Sequence, residues 1–210
     1  MLAYPSSIDL SSSTLQHLAE QLAVQRREIG TRWRRLPAGR QALLALAQAM
    51  ETARTRAFVI LDGTLLPIDR IAADTPCYSG KHKRHRMNVQ VLTDPFGRLL
   101  WASPALPGAT HDLTAARSHG IVDALAAAGL KCWADKAYQG AGGHIRVPFR
   151  GRRLKRWKRR HNSSHAKIRC VGEQAMAVLK GWRLLRKLRC STNRITDIVK
   201  AVLVLHHAST

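Results

Sequence analysis

The sequence predicts an α/β fold, and three observations lead to that prediction. Short apolar runs with β-branched residues occur in "AFVILDGT" and in "LKCWAD", and each ends in an aspartate. Two further strand-like runs flank the turn residues Asp94 to Gly97, which indicates a hairpin. Apolar residues at helical spacing in "HDLTAARSHGIVDALAAAG" predict a helix between that hairpin and the last strand. Asp112 would cap the start of this helix, and Gly129 would end it. Strand, hairpin, helix and strand in this order are typical of α/β domains.

Residues 1–56 are expected to form a helical N-terminal segment. "SSST" offers N-caps to the apolar-periodic run "LQHLAEQLAVQRR", which Gly30 can close, and a second helix is expected from about Pro37. The stretch between Gln41 and Ala57 has room for barely one helix and a short link. We therefore expect no helix-turn-helix in this stretch.

Residues 57–210 are expected to form the main domain. After the strands comes "HIRVPFRGRRLKRWKRRHN", which we expect to be extended and which is strongly basic. A helix is predicted from about Ser163 to Lys180, and a final helix in "TNRITDIVKAVLVLHHA".

Composition narrows the class of partner. The chain has 210 residues, with 35 Lys and Arg against 13 Asp and Glu, a formal net charge of +22. Such an excess favours a polyanion, with nucleic acid ahead of an anionic membrane surface. We expect no membrane span and no signal peptide, and four scattered cysteines without a CxxC pair favour a reduced, cytoplasmic setting.

Three acids could converge on one site. Asp62 and Asp135 each end an apolar strand, and Glu173 is the only acid between Asp135 and Asp197. Ligands gather at the carboxyl ends of strands in α/β sheets, and carboxylate oxygens are the ligands that Mg²⁺ and Mn²⁺ prefer. Strand-end aspartates also cap turns, and helix glutamates also pair with Lys or Arg. Spacing alone leaves the catalytic and structural roles equally open, whereas Asp69, Asp74 and Asp94 look like loop or turn acids.

The stretch from "VILDGTLLPI" to the C-terminus resembles a known family. It combines Asp62-Gly63-Thr64, the run Asp135 to Gly140 ("DKAYQG"), and Arg169, Glu173 and Lys180 at fixed helical spacing, together with "YSGKHKRHRMNVQVLTDPFGRLL" and "PGATHDL". This combination, over about three quarters of the chain, is similar to the endonuclease domain of DDE transposases of the insertion sequence five family, relatives of Harbinger transposases. One departure is Ala166, where the family often has tyrosine. Another is the helix-turn-helix that members usually carry before the "DGT" strand and that is not found here, so the resemblance implies that residues 1–56 are a remnant or shortened DNA-binding region.

The resemblance implies an RNase H-like fold: a mixed sheet flanked by helices, with a triad of Asp62, Asp135 and Glu173 at one end. It also implies two Mg²⁺ or Mn²⁺ ions held by these acids, DNA cleavage and strand transfer at insertion-sequence ends, terminal repeats and target DNA as partners, a homodimer on DNA, and association with the nucleoid. Arg169 and Lys180 would support the triad. Asp112 rivals Asp135 as second acid but is also explained as a helix N-cap, so His111 and Asp112 stay near-site candidates.

Basic residues interleaved with aromatic ones are candidates for DNA contact. They are Lys81, Lys83, Arg84, Lys136, Arg152, Arg153, Lys155, Arg156, Trp157, Lys158, Arg159 and Arg160, with a further basic run from Trp182 to Arg189. A solvated surface is the plain alternative for such runs. Two other functions stay open: a basic nucleic-acid-binding protein without catalysis, and an internally shortened, inactive transposase.

Overall fold

The structure is a computed structural model that describes residues 38–69, 77–79, 84–186, 188–190 and 192–209. The predicted first helix, Leu15 to Arg27, lies outside these residues. The second appears as α1 (Ala38–Arg54), close to where it was expected. No helix in the described ranges is long and apolar enough to cross a bilayer.

The fold is α/β, as the sequence predicts. Strand β1 (Val59–Pro67) is followed by β2 (Tyr78–Ser79), β3 (Arg84–Thr93), β4 (Leu99–Ala102) and β5 (Leu106–Pro107). Helices α2 (Asp112–Ser118) and α3 (Ile121–Ala127) lead to β6 (Cys132–Ala134), a 3₁₀ turn (Lys136–Tyr138) and β7 (Ile145–Arg146). Three helices complete the chain: α4 (Arg156–Gly181), α5 (Arg183–Arg186) and α6 (Thr192–Ser209).

The described strands form one mixed sheet in the order β2-β3-β1-β6-β7, with β4 and β5 also paired to β3. Strands β1 and β3 are antiparallel, whereas β1, β6 and β7 run parallel. The hairpin predicted at Asp94 is confirmed: the buried Asp94 side chain accepts hydrogen bonds from the backbone N–H groups of Phe96 and Arg98. A mixed sheet with helices on both faces is consistent with an RNase H-like fold.

Each face of the sheet carries its own core. One core includes Leu66, Val89, Leu179 and Trp182 and lies towards α4, α5 and α6. The other includes Leu61, Leu125 and Cys132 and lies towards α1, α2 and α3. Because successive side chains of a strand point to opposite faces, neighbours along β1 belong to different sides of the molecule.

Three sequence predictions about element bounds were wrong. Strand β1 does not end at Asp62 but continues to Pro67, because β3 pairs with it along that length. The helix predicted as one unit from Asp112 is broken at Gly120, whose φ of 68° is left-handed. The basic stretch is not extended throughout: α4 begins at Arg156, well before Ser163, where its first turns pack on Phe149.

Candidate active site

The parallel pair β1 and β6 brings Asp62 and Asp135 to one place. Leu61 pairs with Ala134, where β6 ends, so Asp62 and Asp135 are the next residues of two neighbouring strands. Ile60 and Trp133, one pair earlier, face α4, as their contacts with Gly172 and His165 show. Alternation of side chains then places Asp62 and Asp135 on that same face. Asp135 also accepts a 2.6 Å hydrogen bond from the Ala137 N–H, which fixes the turn that follows.

Helix α4 approaches β1 closely at this point. A Cβ atom on Gly172 would come within 2.9 Å of Ile60 Cγ2, so only glycine allows the helix to lie this near the strand. The neighbouring Arg169 and Glu173 are thereby carried to Asp62. Arg169 Nη2 donates to Asp62 Oδ2 at 3.2 Å and lies 3.7 Å from Glu173 Oε1. Arg169 therefore bridges the first and third acids of the expected triad.

The electrostatics of Asp62 differ from those of a surface acid. Burial raises its pKa from 3.8 to about 6, Arg169 opposes that rise, and the negative charge of Asp135 adds to it. The effect of the Asp135 charge on the pKa of Asp62 is a second sign that the two aspartates lie close together. Lys180 belongs to the same neighbourhood. It is exposed, but desolvation by the surrounding chain and the charge of Arg86 lower its pKa, whereas Asp62 raises it.

The donor set suits a hard divalent cation. Asp62, Asp135 and Glu173 offer carboxylate oxygens, and Asp62 is only 16% exposed, so its negative charge is poorly solvated and gains from a nearby cation. In this structure the guanidinium of Arg169 supplies that positive charge. Within the described part of the chain, no three Asp, Glu, His or Cys side chains lie close enough to hold a metal ion together. The acids thus fit a divalent cation by chemistry, with Arg169 placed between two of them.

Asp112 lies on the opposite face of the sheet and does not join these acids. A Cβ atom on Gly63, the next residue after Asp62, would overlap Asp112 Oδ1. Asp112 Oδ1 accepts from Asn88 Nδ2 at 2.7 Å and from Gln90 Nε2 at 3.3 Å. The expectation that Asp112 caps the helix was wrong: His111 is the N-cap, and its Nδ1 accepts from the Leu113 N–H.

Sequence reasoning missed a buried polar network around Asp112. The Tyr138 hydroxyl donates a short hydrogen bond to Gln90 Oε1, and Gln90 Nε2 donates to Asn88 Oδ1 at 2.8 Å. Burial raises the pKa of Tyr138 well above its ordinary value, and the charges of Asp112, Asp62 and Asp135 raise it further, so the hydroxyl keeps its proton. The available signal was the placement of two polar residues, Asn88 and Gln90, within the apolar strand "RMNVQVLT".

The candidate DNA-contacting residues fall into three groups. Lys81 and Lys83, with the side chain of Arg84, lie outside the described residues. Lys136 is exposed beside Asp135, and the basic side chains from Arg152 to Arg160 are exposed around the start of α4, apart from the half-buried Lys158. The later run, from Trp182 to Arg189, differs because Trp182 and Leu185 are buried in the core, whereas Arg183, Arg186 and Arg189 are exposed.

The chain is similar to known proteins over most of its length. A family model described as "DDE superfamily endonuclease" matches residues 61–207. The chain is 31% identical over 156 residues to a Streptomyces albus G protein described as "Putative transposase for insertion sequence element IS112". That alignment covers 71% of this chain and 57% of the relative, so the chain spans less than two thirds of the relative's length. No solved structure matches the chain significantly.

Proposed function

Because the chain belongs to the DDE superfamily endonucleases, we propose that it is a transposase that cuts DNA at insertion-sequence ends and joins the freed end to target DNA. In the first step, the oxygen of a water molecule bonds to the scissile phosphorus and the bond to the 3′-oxygen breaks, which leaves a 3′-hydroxyl. In the second, that hydroxyl attacks a target phosphate and displaces a second 3′-oxygen. Assignment to the insertion sequence five group stays a prediction.

One observation supports this function most directly. Asp62 and Asp135 extend from adjacent parallel strands onto one face of the sheet, and Arg169 connects Asp62 to Glu173. A structural acid at a strand end gains nothing from a second acid beside it, because the two raise each other's energy. The burial of Asp62 adds to that cost. A site that keeps two acids together despite this repulsion is typical of a function, such as catalysis, that needs both of them.

Asp62, Asp135 and Glu173 would hold divalent cations, Mg²⁺ or Mn²⁺ and two in number. When bound, such ions activate the attacking oxygen and stabilise the leaving one. The protein's own residues prepare the site. Arg169 orients the carboxylates of Asp62 and Glu173, and Lys180 places a positive charge near them where a phosphate oxygen could be received.

Partner and location follow from charge and family. Exposed basic residues around the start of α4 would contact the phosphates of terminal repeats and of target DNA. A homodimer on DNA and a cytoplasmic, nucleoid-associated location are part of the same proposal. Residues 1–56 would be the N-terminal segment and residues 57–210 the catalytic domain.

A second function has a specific observation in its favour. Arg169 already contacts both Asp62 and Glu173 and offsets part of their negative charge, so a basic DNA-binding protein without catalysis could also keep these acids together. An internally shortened, inactive transposase would look the same. Activity therefore has to decide between these functions.

The test is nicking of a supercoiled plasmid and of the element's own end by the purified chain in Mg²⁺ or Mn²⁺. Asp62→Ala, Asp135→Ala and Glu173→Ala should each abolish nicking while DNA binding is kept or strengthened. Asp123→Ala is the matched control, because Asp123 is an exposed acid on α3 outside the site. Full nicking by Asp135→Ala would overturn the triad, and binding without any metal-dependent nicking by the wild type would favour the second function.

A further inference from the structure

Helix α4 carries a line of side chains that winds around it from the candidate active site to an exposed aromatic group. Trp157, His161, His165, Arg169 and Glu173 follow one another at intervals of four residues. Because an α-helix has about 3.6 residues per turn, each interval of four turns the line by about 40°, or about 160° in all, so Trp157 and Glu173 leave the helix on nearly opposite sides. The two ends of the line are about 24 Å apart along the helix axis at 1.5 Å per residue.

The outer end of that line is an aromatic pair, Phe149 and Trp157. Their ring centroids are 5.2 Å apart with planes at 80°, an edge-to-face arrangement. Trp157 is 56% exposed, one of few large hydrophobic side chains in the described ranges to be so. Burial in the core therefore does not explain its position.

The pair is held rigidly. Asn162 Oδ1 accepts from the Phe149 N–H at 2.9 Å, and Asn162 Nδ2 donates to the Phe149 carbonyl oxygen at 3.0 Å. Both hydrogen-bonding groups of the Phe149 backbone are thus fixed to α4. His161 packs on the Phe149 ring at 5.1 Å, which adds a second support. A preorganised aromatic surface loses little conformational entropy when a flat ligand stacks on it.

The cations around the aromatic pair indicate the chemical class of that ligand. Lys158 Nζ lies 5.0 Å from the Phe149 ring centroid and 5.4 Å from that of Trp157. Arg152, Arg153 and Arg156 are exposed nearby in the sequence. An aromatic surface edged by cations suits a nucleotide of single-stranded nucleic acid, whose base stacks while its phosphates meet the basic side chains. A duplex offers no free base face, so the base must be unpaired or extruded.

We propose that the aromatic pair is a stacking site for one unpaired base of the DNA substrate, remote from the cut. The base stacks on the exposed ring of Trp157, and its neighbouring phosphates contact the cations around the start of α4. The position of that base relative to the cut rests on the proposed function.

The binding test does not depend on cleavage. Fluorescence anisotropy would compare a short single-stranded oligonucleotide with its duplex, using the full chain and the same chain carrying Asp62→Ala. Trp157→Ala should weaken single-strand binding by about fivefold to a hundredfold and duplex binding by much less. Trp157→Phe should restore most of it. Phe96→Ala is the control, because Phe96 is a 76% exposed aromatic residue at the β3–β4 turn.

A spectroscopic readout separates stacking from a structural effect. Single-stranded DNA should quench part of the tryptophan fluorescence of the wild type, and Trp157→Phe should lose that part. Equal losses on single strand and duplex, unchanged quenching in Trp157→Phe, or a change in oligomeric state with Trp157→Ala would overturn the proposal; the last would make the pair a subunit contact. An abasic-site scan of a nicked substrate then tests the position, and an inactive protein that still stacks bases would refute only the proposed function.

Discussion

The Asp112 carboxylate lies directly against Gly63, on the face of the sheet opposite to Asp62. Asp62 and Gly63 are neighbours in β1, so the two aspartates are separated by the strand itself. Asp112 is thereby tied to a network of Asn88, Gln90 and Tyr138. We infer that this network holds β1 and the turn after β6 in register beneath the candidate site.

The first prediction concerns the space at Gly63. Gly63→Ala should push Asp112 away from Nδ2 of Asn88, a buried residue that is only 2% exposed. A buried donor without its acceptor costs about 1–3 kcal/mol, so the free energy of unfolding in urea should fall by about that amount. The Gly63 N–H also donates to Asp62 Oδ1 at 2.9 Å. A shift of the strand at residue 63 would therefore move the Asp62 carboxylate, and metal-dependent nicking should fall as well.

Gly181→Ala is the control for that change, because no atom lies within 4 Å of where its Cβ would be and its φ is not left-handed. Its unfolding free energy should stay within about 1 kcal/mol of the wild-type value. Equal stability of the two variants would show that Asp112 is free to move aside.

The second prediction separates Asp112 from the triad. Asp112→Asn keeps an oxygen that can accept from Asn88 and leaves the opposite face untouched. Its nicking rate should stay within about tenfold of wild type, with an unchanged midpoint in a Mg²⁺ titration. Asp135→Asn should lose nicking altogether, because each metal ligand acts directly on the reacting oxygens. A raised Mg²⁺ midpoint in Asp112→Asn would place Asp112 among the ligands.

The third prediction is a pH dependence of stability in EDTA. The pKa of Asp62 is raised from 3.8 to about 6 in the folded chain, so the folded state binds this proton more tightly than the unfolded one. The associated stability is present below about pH 4 and is lost as pH rises through about 6. The unfolding free energy of Asp62→Asn relative to wild type should therefore rise by about 2–3 kcal/mol between pH 4 and pH 7.

That difference is measured by urea unfolding at each pH. The pH-independent part of losing the Arg169 contact cancels between the two pH values, and the charge-dependent part is already contained in the pKa of Asp62. Asp123→Asn, a change at an exposed acid, should show no such trend relative to wild type. A flat difference for Asp62→Asn would mean that Asp62 is solvated better than its 16% exposure indicates.

The sequence predicted the parts of this protein that depend on local patterns. The strand that carries Asp62, the strand that precedes Asp135, the hairpin at Asp94 and the final helix are all marked by periodic or turn signals, and each is present. The pairing of β1 with β6 could also be predicted from the sequence, because neighbouring parallel strands bring their carboxyl ends together. The catalytic roles assigned to these acids stay predictions.

What the sequence could not supply depends on contacts between distant segments. The extension of β1 beyond Asp62 follows from the five residue pairs that Gly63 to Pro67 make with β3, which no local signal specifies. The early start of α4 depends on Asn162 holding Phe149 across 13 residues. The capping role of His111 left Asp112 free to accept from Asn88, 24 residues away, so a local rule for caps gave the wrong residue.

The last prediction tests whether the exposed cations around the start of α4 follow the DNA backbone. Arg152, Arg156 and Arg159 are exposed and do not belong to the Phe149–Trp157 pair. Because they would contact phosphates and not bases, their replacement by Ala should weaken duplex binding about equally for all sequences. Each lost phosphate contact should flatten the plot of log affinity against log salt by about 0.9, hence by up to about 2.7 for the triple variant.

Replacing Arg54, Arg98 and Lys131, three exposed cations elsewhere, is the charge-matched control and should leave the slope nearly unchanged. Equal slopes in both triple variants would mean that net charge alone attracts DNA and that this stretch has no special place in the complex. A slope changed only by the first variant would locate the DNA around the start of α4.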